Sequence, residues 1–160
     1  MIKVQQENFD VSAELAALTS GNHAIGGIAS YVGLVRDLVG ADSPDDALRA
    51  MTLEHYPGMT EKKLAAIETE AQSRWPLEAS LIVHRYGRLE PGEQIVLVAC
   101  ASAHRQAALD ACNFLMDWLK TEAPFWKLEE TGAGEAWVDS RASDDAAAAR
   151  WKVKTDRAAE

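Results

Sequence analysis

The chain has 160 residues, of which 48% are hydrophobic and 26% are charged, and this favours one globular domain over a disordered, collagen-like or multidomain protein. The formal net charge of −9 argues against nucleic acid as a partner, because phosphate backbones bind basic surfaces. Two cysteines do not make a disulfide framework, and the sequence has neither a membrane-spanning apolar run nor a signal peptide, so we expect a cytoplasmic protein without membrane association.

Apolar periodicity predicts alternating strands and helices in the first half of the chain. Pro76 ends the longer helix, because proline cannot continue an α-helix. Glycines in the second strand indicate bends or close backbone approach. The predicted elements are a strand at 2–4, a brief helix at 12–18, a strand at 24–33, an acidic loop at 37–50, a strand at 51–56 and a helix at 60–75.

Two turn sequences organise the second half, EPGE at 90–93 and TGAG at 131–134, and each predicts a hairpin. Between them lies a long helix with a broad apolar face, for which Ser102 is the predicted N-cap. The elements are strands at 81–83 and 95–98, a helix at 103–122, strands at 125–129 and 136–138, and a last helix at 143–151. We therefore expect an α+β domain over residues 1–151, with mostly antiparallel pairing and an additional β-hairpin region, and a tail at 152–160.

No standard catalytic motif is present, since the chain lacks a P-loop, G-x-S-x-G, H-E-x-x-H and C-x-x-C. The four histidines have no metal-ligand spacing, so we expect no metal site. Cys100 ends an apolar strand and Cys112 lies on the apolar face of the long helix. Both are interpreted as inert core residues, because a nucleophilic thiolate requires a nearby base and partial exposure.

The segment SAHR at 102–105 places His104 and Arg105 at the start of the long helix. Free backbone N–H groups there already attract anions, and cations at that end oppose the helix dipole. A phosphate or carboxylate bound among them explains their presence. The alternative is that both side chains are solvated or paired with a neighbouring carboxylate.

Lys120 and Lys127 bracket the sequence TEAPFW at the other end of this helix. A lysine in the last turn of a helix is common, because it complements the helix dipole. The alternative to a functional role is that Lys120 has only this structural one. Two aromatic residues precede Lys127 and can shield it from water. Desolvated lysines serve as general bases and nucleophiles.

The helix itself separates the two groups of cations. Lys120 follows His104 by sixteen positions, which corresponds to about 24 Å along a straight α-helix. One chain cannot bring them into one small pocket. Two copies packed antiparallel about a two-fold axis would bring His104 and Arg105 of one copy toward Lys120 of the other, so a shared site requires a dimer.

Six sequence segments stand out when they are taken together. They are GLVR at 33–36, LEHYPGM at 53–59, RWPL at 74–77, HRYG at 84–87, SAHR at 102–105 and KTEAPFWK at 120–127. Together they resemble the large, catalytic subunit of molybdopterin synthase, and they run in family order over about residues 9–151. The combination of LEHYPGM, SAHR and APFWK makes this resemblance specific.

The resemblance implies an α/β hammerhead fold and a homodimer of large subunits, each with a small ubiquitin-like partner, in a heterotetramer. The partner would carry sulfur as a thiocarboxylate on its C-terminal Gly-Gly. The enzyme would be a sulfurtransferase of molybdenum cofactor biosynthesis that converts cyclic pyranopterin monophosphate to molybdopterin by two sulfur transfers. No metal or redox cofactor is required, because the sulfur arrives already activated.

The resemblance also implies roles for individual residues. Lys120 and Lys127 match the catalytic lysines. Lys120 would act beside the thiocarboxylate carbonyl, and Lys127 would hold the anionic tail or a partly sulfurated intermediate. The residues that match the substrate-binding set, with nearby backbone, are Arg36, His104, Arg105 and Arg141, together with Leu34, Val35, Leu128 and Glu129.

Two other functions are compatible with the residues. A non-catalytic adaptor would only dock a ubiquitin-like protein and use its cations for the partner's carboxylate. A small phosphoester hydrolase would use His104, but no carboxylate or metal partner for this histidine is evident.

Overall fold

The computed structural model describes residues 1–38, 43, 45–138 and 142–151. Within these residues the chain forms two four-stranded sheets and four helices, so the predicted α+β class is confirmed. The elements are β1 (Ile2–Gln5), α1 (Val11–Thr19), β2 (Gly27–Leu34), β3 (Leu48–His55), α2 (Met59–Arg74), β4 (Ala79–Arg85), β5 (Gly87–Leu89), β6 (Gln94–Ser102), α3 (Arg105–Glu122), β7 (Phe125–Thr131), β8 (Gly134–Val138) and α4 (Ala142–Ala149).

The first sheet has the strand order β1-β4-β6-β2, and helices cover both of its faces. The β1–β4 pair is parallel, and the other pairs are antiparallel. Because side chains alternate along a strand, Leu81 and Val83 of β4 pack toward α1, whereas Ile82 packs toward α2 and α3. The near-continuous apolar run of this strand follows from its burial on both faces.

The second sheet has the order β5-β3-β7-β8 and is antiparallel throughout. The predicted hairpin at 131–134 is confirmed as the β7–β8 turn. The other predicted hairpin is only partly right. Strands β4 and β6 do pair, but between them the chain forms β5 in the second sheet. Gly87 makes this crossing with a φ of +90°, a backbone conformation that favours glycine.

Two predicted boundaries are wrong for local reasons. β3 begins at Leu48, so the end of the predicted acidic loop at 37–50 belongs to a strand. Ser102 is not the N-cap of α3, because it remains paired with Gly27 as the last residue of β6. Its hydroxyl donates to the carbonyl of Pro76 at 2.8 Å, and His104 takes the N-cap position.

α3 is the central helix of the fold. Phe114, Leu115 and Leu119 lie on its buried face, in the core shared with the first sheet and α2. Phe114 also contacts the rings of Trp75 and Trp151, which ties α4 to this core. None of the helices in the described residues has the length and apolarity required to cross a lipid bilayer.

Candidate active-site cleft

A cleft of about 1020 Å³ lies where the two sheets meet the C-terminal part of α3. Tyr31, Gly33 and Leu34 of β2 form one wall, and α3 forms another. Gly33 brings the backbone close, because a Cβ there would lie 2.7 Å from the side chain of Val96. Strands β3 and β7 of the second sheet complete the enclosure, so both sheets contribute to one concave surface.

Three predicted cationic residues line this cleft from three separate segments. Arg36 follows β2, Lys120 lies in the last turn of α3, and Lys127 lies on β7. The tertiary fold therefore brings together cations that are far apart in sequence. The cleft holds these three cations against two carboxylates, Asp37 and Glu129, and this excess of positive charge in an acidic protein suits a small anion.

Glu129 accompanies Lys127 on the same face of β7, because residues two apart on a strand point the same way. The Nζ of Lys127 lies 3.2 Å from Oε1 of Glu129. Both side chains are partly buried, at 32% and 18% exposure, so the pair is better protected from solvent than a surface ion pair. Glu129 thus orients Lys127 within the cleft.

Several predicted residues do not line the cleft. Val35 is buried in the core of the second sheet, and Leu128 points to the opposite face of β7. His104 and Arg105 lie at the N-terminal end of α3, where the sequence predicted them, and both are exposed. Arg141 lies outside the described residues. One chain therefore supplies only part of the predicted cationic set.

His84 lines the cleft although the site prediction did not include it. The residue is 9% exposed, and its ring stacks on Phe125 with centroids 3.7 Å apart and an interplanar angle of 15°. Its Nδ1 lies 2.8 Å from the backbone carbonyl oxygen of Arg85. Burial lowers the pKa of His84 to about 4; the hydrogen bond to Arg85 opposes this shift, and the nearby His55 adds to it.

The buried side chain of Arg85 is itself fixed by several contacts. Its guanidinium donates to the carbonyls of Gln6 at 2.9 Å and Gln94 at 3.0 Å, and forms an ion pair with Glu93 at 3.2 Å. These contacts tie the end of β4 to its neighbouring strands. They also hold the backbone carbonyl of Arg85 in place, which is the group that accepts the hydrogen bond from His84.

Tyr31, Met116 and Phe125 are further lining residues that the site prediction missed. Met116 had a usable signal, because it precedes Lys120 by four residues and so lies on the same helix face. Phe125 also had a signal in the sequence, since it precedes Lys127 by two residues and therefore lies on the same face of the strand. No sequence signal identified Tyr31 and His84, because their positions depend on how the two sheets meet.

The two cysteines behave as predicted. Both are buried free thiols, and burial raises the pKa of Cys100 to about 12 and that of Cys112 to about 11. Neither lines the main cleft. Among the described residues, no group of three or more histidine, cysteine, aspartate or glutamate side chains is arranged to hold a metal ion.

Comparisons with known proteins agree on one family. The family model described as MoaE protein matches residues 4–122. A molybdopterin synthase catalytic subunit from Pseudomonas aeruginosa is 58% identical over 151 residues, covering 94% of this chain and 98% of the relative. The MoaE protein structure from Burkholderia ambifaria MC40-6 is 53% identical with a TM-score of 0.80, covering 96% of this chain and 99% of that one.

A more distant structure shows the fold alone. It comes from Helicobacter pylori 26695 and is described as a complex of subunits 1 and 2 of molybdopterin-converting factor. The identity is 18% and the TM-score is 0.70, over 88% of this chain and 91% of that one. The overall fold is thus kept at low identity.

Proposed function

The chain belongs to the MoaE family, and on that premise we propose that the cleft between its two sheets is its catalytic site. The activity is that of a molybdopterin synthase catalytic subunit, a sulfurtransferase of molybdenum cofactor biosynthesis. Two sulfurs pass from the C-terminal thiocarboxylate of a small ubiquitin-like subunit to cyclic pyranopterin monophosphate. The observation that carries the site assignment is the meeting of Arg36, Lys120 and Lys127 in one cleft.

The cationic side chains suit the charge changes of this reaction. Arg36 in the cleft, with His104, Arg105 and Arg141, would neutralise the cyclic phosphate and the negative charge that develops as its ring opens. Arginine is suited to this role because its planar guanidinium donates two parallel hydrogen bonds to phosphate oxygens. Backbone near Leu34, Val35, Leu128 and Glu129 would complete the binding surface.

The two lysines take different roles. Lys120 would act beside the thiocarboxylate carbonyl and the carbon under attack, as acid, base or electrostatic stabiliser. Lys127 would hold the anionic tail or a partly sulfurated intermediate. Its ion pair with Glu129 supports this role, because the carboxylate 3.2 Å away fixes the position of the ammonium group that would bind the second anion.

We propose that two copies of the chain complete the site. Five exposed or partly exposed residues form a line along α3 at spacings of four, four, three and four, which we name the α3 stripe. The α3 stripe consists of Arg105, Leu109, Asn113, Met116 and Lys120.

The α3 stripe is self-complementary under a two-fold axis. If Asn113 lies near that axis in an antiparallel pair, Leu109 faces Met116 of the second copy, and Arg105 faces Lys120. A depression of about 220 Å³ beside Asn113, Met116 and Lys120 offers room for the Leu109 side chain of the second copy. This arrangement would deliver His104 and Arg105 to the other subunit's cleft.

We propose a small ubiquitin-like partner for each copy, which gives a heterotetramer. The Helicobacter pylori structure described as a complex of two subunits motivates this assembly. An extended Gly-Gly tail would enter the cleft and bring its thiocarboxylate to Lys120. A tail with almost no side chains requires a narrow groove with backbone polar groups, which β2 can offer at Gly33.

We also propose a single domain over residues 1–151, followed by the tail, and a cytoplasmic location. A reducing compartment suits two buried free thiols. Deletion of residues 152–160 should leave the thermal unfolding temperature unchanged, and cell fractionation tests the location.

Reconstitution tests the function. The purified chain, a thiocarboxylated small subunit and cyclic pyranopterin monophosphate should together yield molybdopterin, detected after oxidation as its fluorescent derivative. The same mixture with a small subunit that ends in an ordinary carboxylate should yield none. Absence of product with the thiocarboxylated partner would contradict the proposal.

A further inference from the structure

His84 occupies an unusual place among the residues that line the cleft. It is the second-last residue of β4, immediately before the chain crosses from the first sheet to the second. Pairing with Val96 on β6 and Val4 on β1 fixes its backbone from both sides. A side chain on such a strand is held more precisely than one on a loop.

The contacts of the imidazole fix its tautomer. The carbonyl oxygen of Arg85 can only accept a hydrogen bond, so Nδ1 of His84 carries the hydrogen. The ring is neutral near pH 7, because burial lowers the pKa of His84 to about 4. Nε2 is therefore left with a lone pair that accepts hydrogen bonds. Stacking on Phe125 fixes the plane of the ring.

A neutral acceptor fills a chemical need in this cleft. The lysines and Arg36 only donate hydrogen bonds, and Glu129 is engaged by Lys127. Asp37 accepts at its Oδ1 from the backbone N–H groups of Leu38 and Leu48, and its negative charge would offset the positive charge of the cleft. The Tyr31 hydroxyl is another neutral group in the lining, and unlike an unprotonated ring nitrogen it can donate as well as accept. A pterin carries N–H groups that require an acceptor, and a neutral acceptor does not weaken the positive charge that attracts the phosphate.

We propose that Nε2 of His84 accepts a hydrogen bond from an N–H group of the pterin and thereby orients the heterocycle in the cleft. This inference rests on the proposed function, because it takes the pterin as the ligand. His84 is a binding residue in this scheme and transfers no proton. Arg85 is a positioning residue, since its side-chain contacts hold its own backbone carbonyl, which accepts the hydrogen bond from the imidazole.

Two substitutions test the roles of the two ring nitrogens separately. His84→Asn retains a donor near the position of Nδ1 but loses the acceptor at Nε2. His84→Gln places an amide oxygen near Nε2 but loses the donor to Arg85. Both variants lose the imidazole ring that stacks on Phe125. A difference between them therefore cannot come from the lost stacking.

The experiment is a titration of each folded variant with cyclic pyranopterin monophosphate, without the small subunit. We expect Kd to rise about tenfold for His84→Asn, because a pterin N–H loses its partner, and to change less than about twofold for His84→Gln. The affinity for the small subunit should not change in either variant. An unchanged Kd for His84→Asn, an equal rise for both variants, or weakened small-subunit binding without a pterin effect would overturn the inference.

Nitrogen NMR of the wild-type chain gives a measurement that does not depend on the variants folding. The Nε2 resonance of His84 should show an unprotonated nitrogen and move upfield when the pterin is added. An Nε2 resonance that does not move while the pterin binds would overturn the inference. A wild-type chain that binds no pterin at all would instead contradict the proposed function.

Discussion

His104 and Lys120 lie at opposite ends of α3, one as its N-cap and the other in its last turn. The rise of an α-helix places them about 24 Å apart. Only Lys120 lines the cleft. A site that uses both residues therefore has to draw them from two chains, and this relationship can be tested directly.

Mixed dimers test the shared site. Arg105→Ala and Lys120→Ala chains, each inactive alone, should regain about one quarter of wild-type activity when refolded together, since half of the dimers are mixed and each has one intact site. Molybdopterin formation is the measurement. The control is the double variant refolded with the wild-type chain. Its mixed dimers should be inactive, because one of their sites lacks Arg105 and the other lacks Lys120. If the two single variants fail to complement, both residues act in one chain or the dimer pairs differently.

The α3 stripe should carry the dimer contact. Leu109 is 49% exposed in the second turn of α3, and Leu109→Glu should convert the dimer to a folded monomer, because it places a charge against Met116 of the second copy. Sedimentation measures the mass and circular dichroism measures the fold. Met59→Glu is the matched control, since Met59 is 55% exposed on α2. A Leu109→Glu chain that still sediments as a dimer would rule out the stripe as the interface.

Lys120→Ala should lower the rate of molybdopterin formation by about 10²-fold or more, as expected for a positioned acid, base or charge stabiliser. Binding of the small subunit and dimerisation should persist. Lys63→Ala is the control: Lys63 pairs with Glu122 at 2.9 Å on the surface and does not line the cleft, so its rate should stay within about twofold. A Lys120→Ala chain with full turnover would refute the catalytic role.

The buried His84 should make stability depend on pH. Its pKa is about 4 in the folded chain, against an ordinary histidine value of 6.5 in the unfolded chain, so the unfolded chain binds more protons between these pH values. The stabilising effect of keeping the ring neutral is complete above pH 6.5 and is lost as the pH falls toward 4.

Urea unfolding measures this dependence. Between pH 7 and pH 5 the free energy of unfolding of the wild-type chain should fall by about 2 kcal/mol more than that of His84→Gln. The comparison uses only the change with pH, so any loss of stability at pH 7 in the variant cancels. An equal pH dependence in the two chains would show that folding does not lower the pKa of His84.

Local patterns predicted most of the elements correctly. The apolar spacing around Leu115 and Leu119 predicted α3, and the TGAG turn predicted the β7–β8 hairpin. These predictions succeed because helix periodicity and turn chemistry act over a few residues. The position of Ser102 was misread, since a serine before a helix can also end a strand and bond elsewhere, here to Pro76.

The amino-acid sequence by itself determined the class of the fold, the family, the inert cysteines and the presence of cations at both ends of α3. Only the tertiary structure decided that Arg36, Lys120 and Lys127 share a cleft and that His84 lies with them. The physical reason is that each cation belongs to a different segment of the chain, and the distances between them depend on how the chain crosses from one sheet to the other at Gly87. Packing between distant segments fixes that crossing, and no local pattern records it.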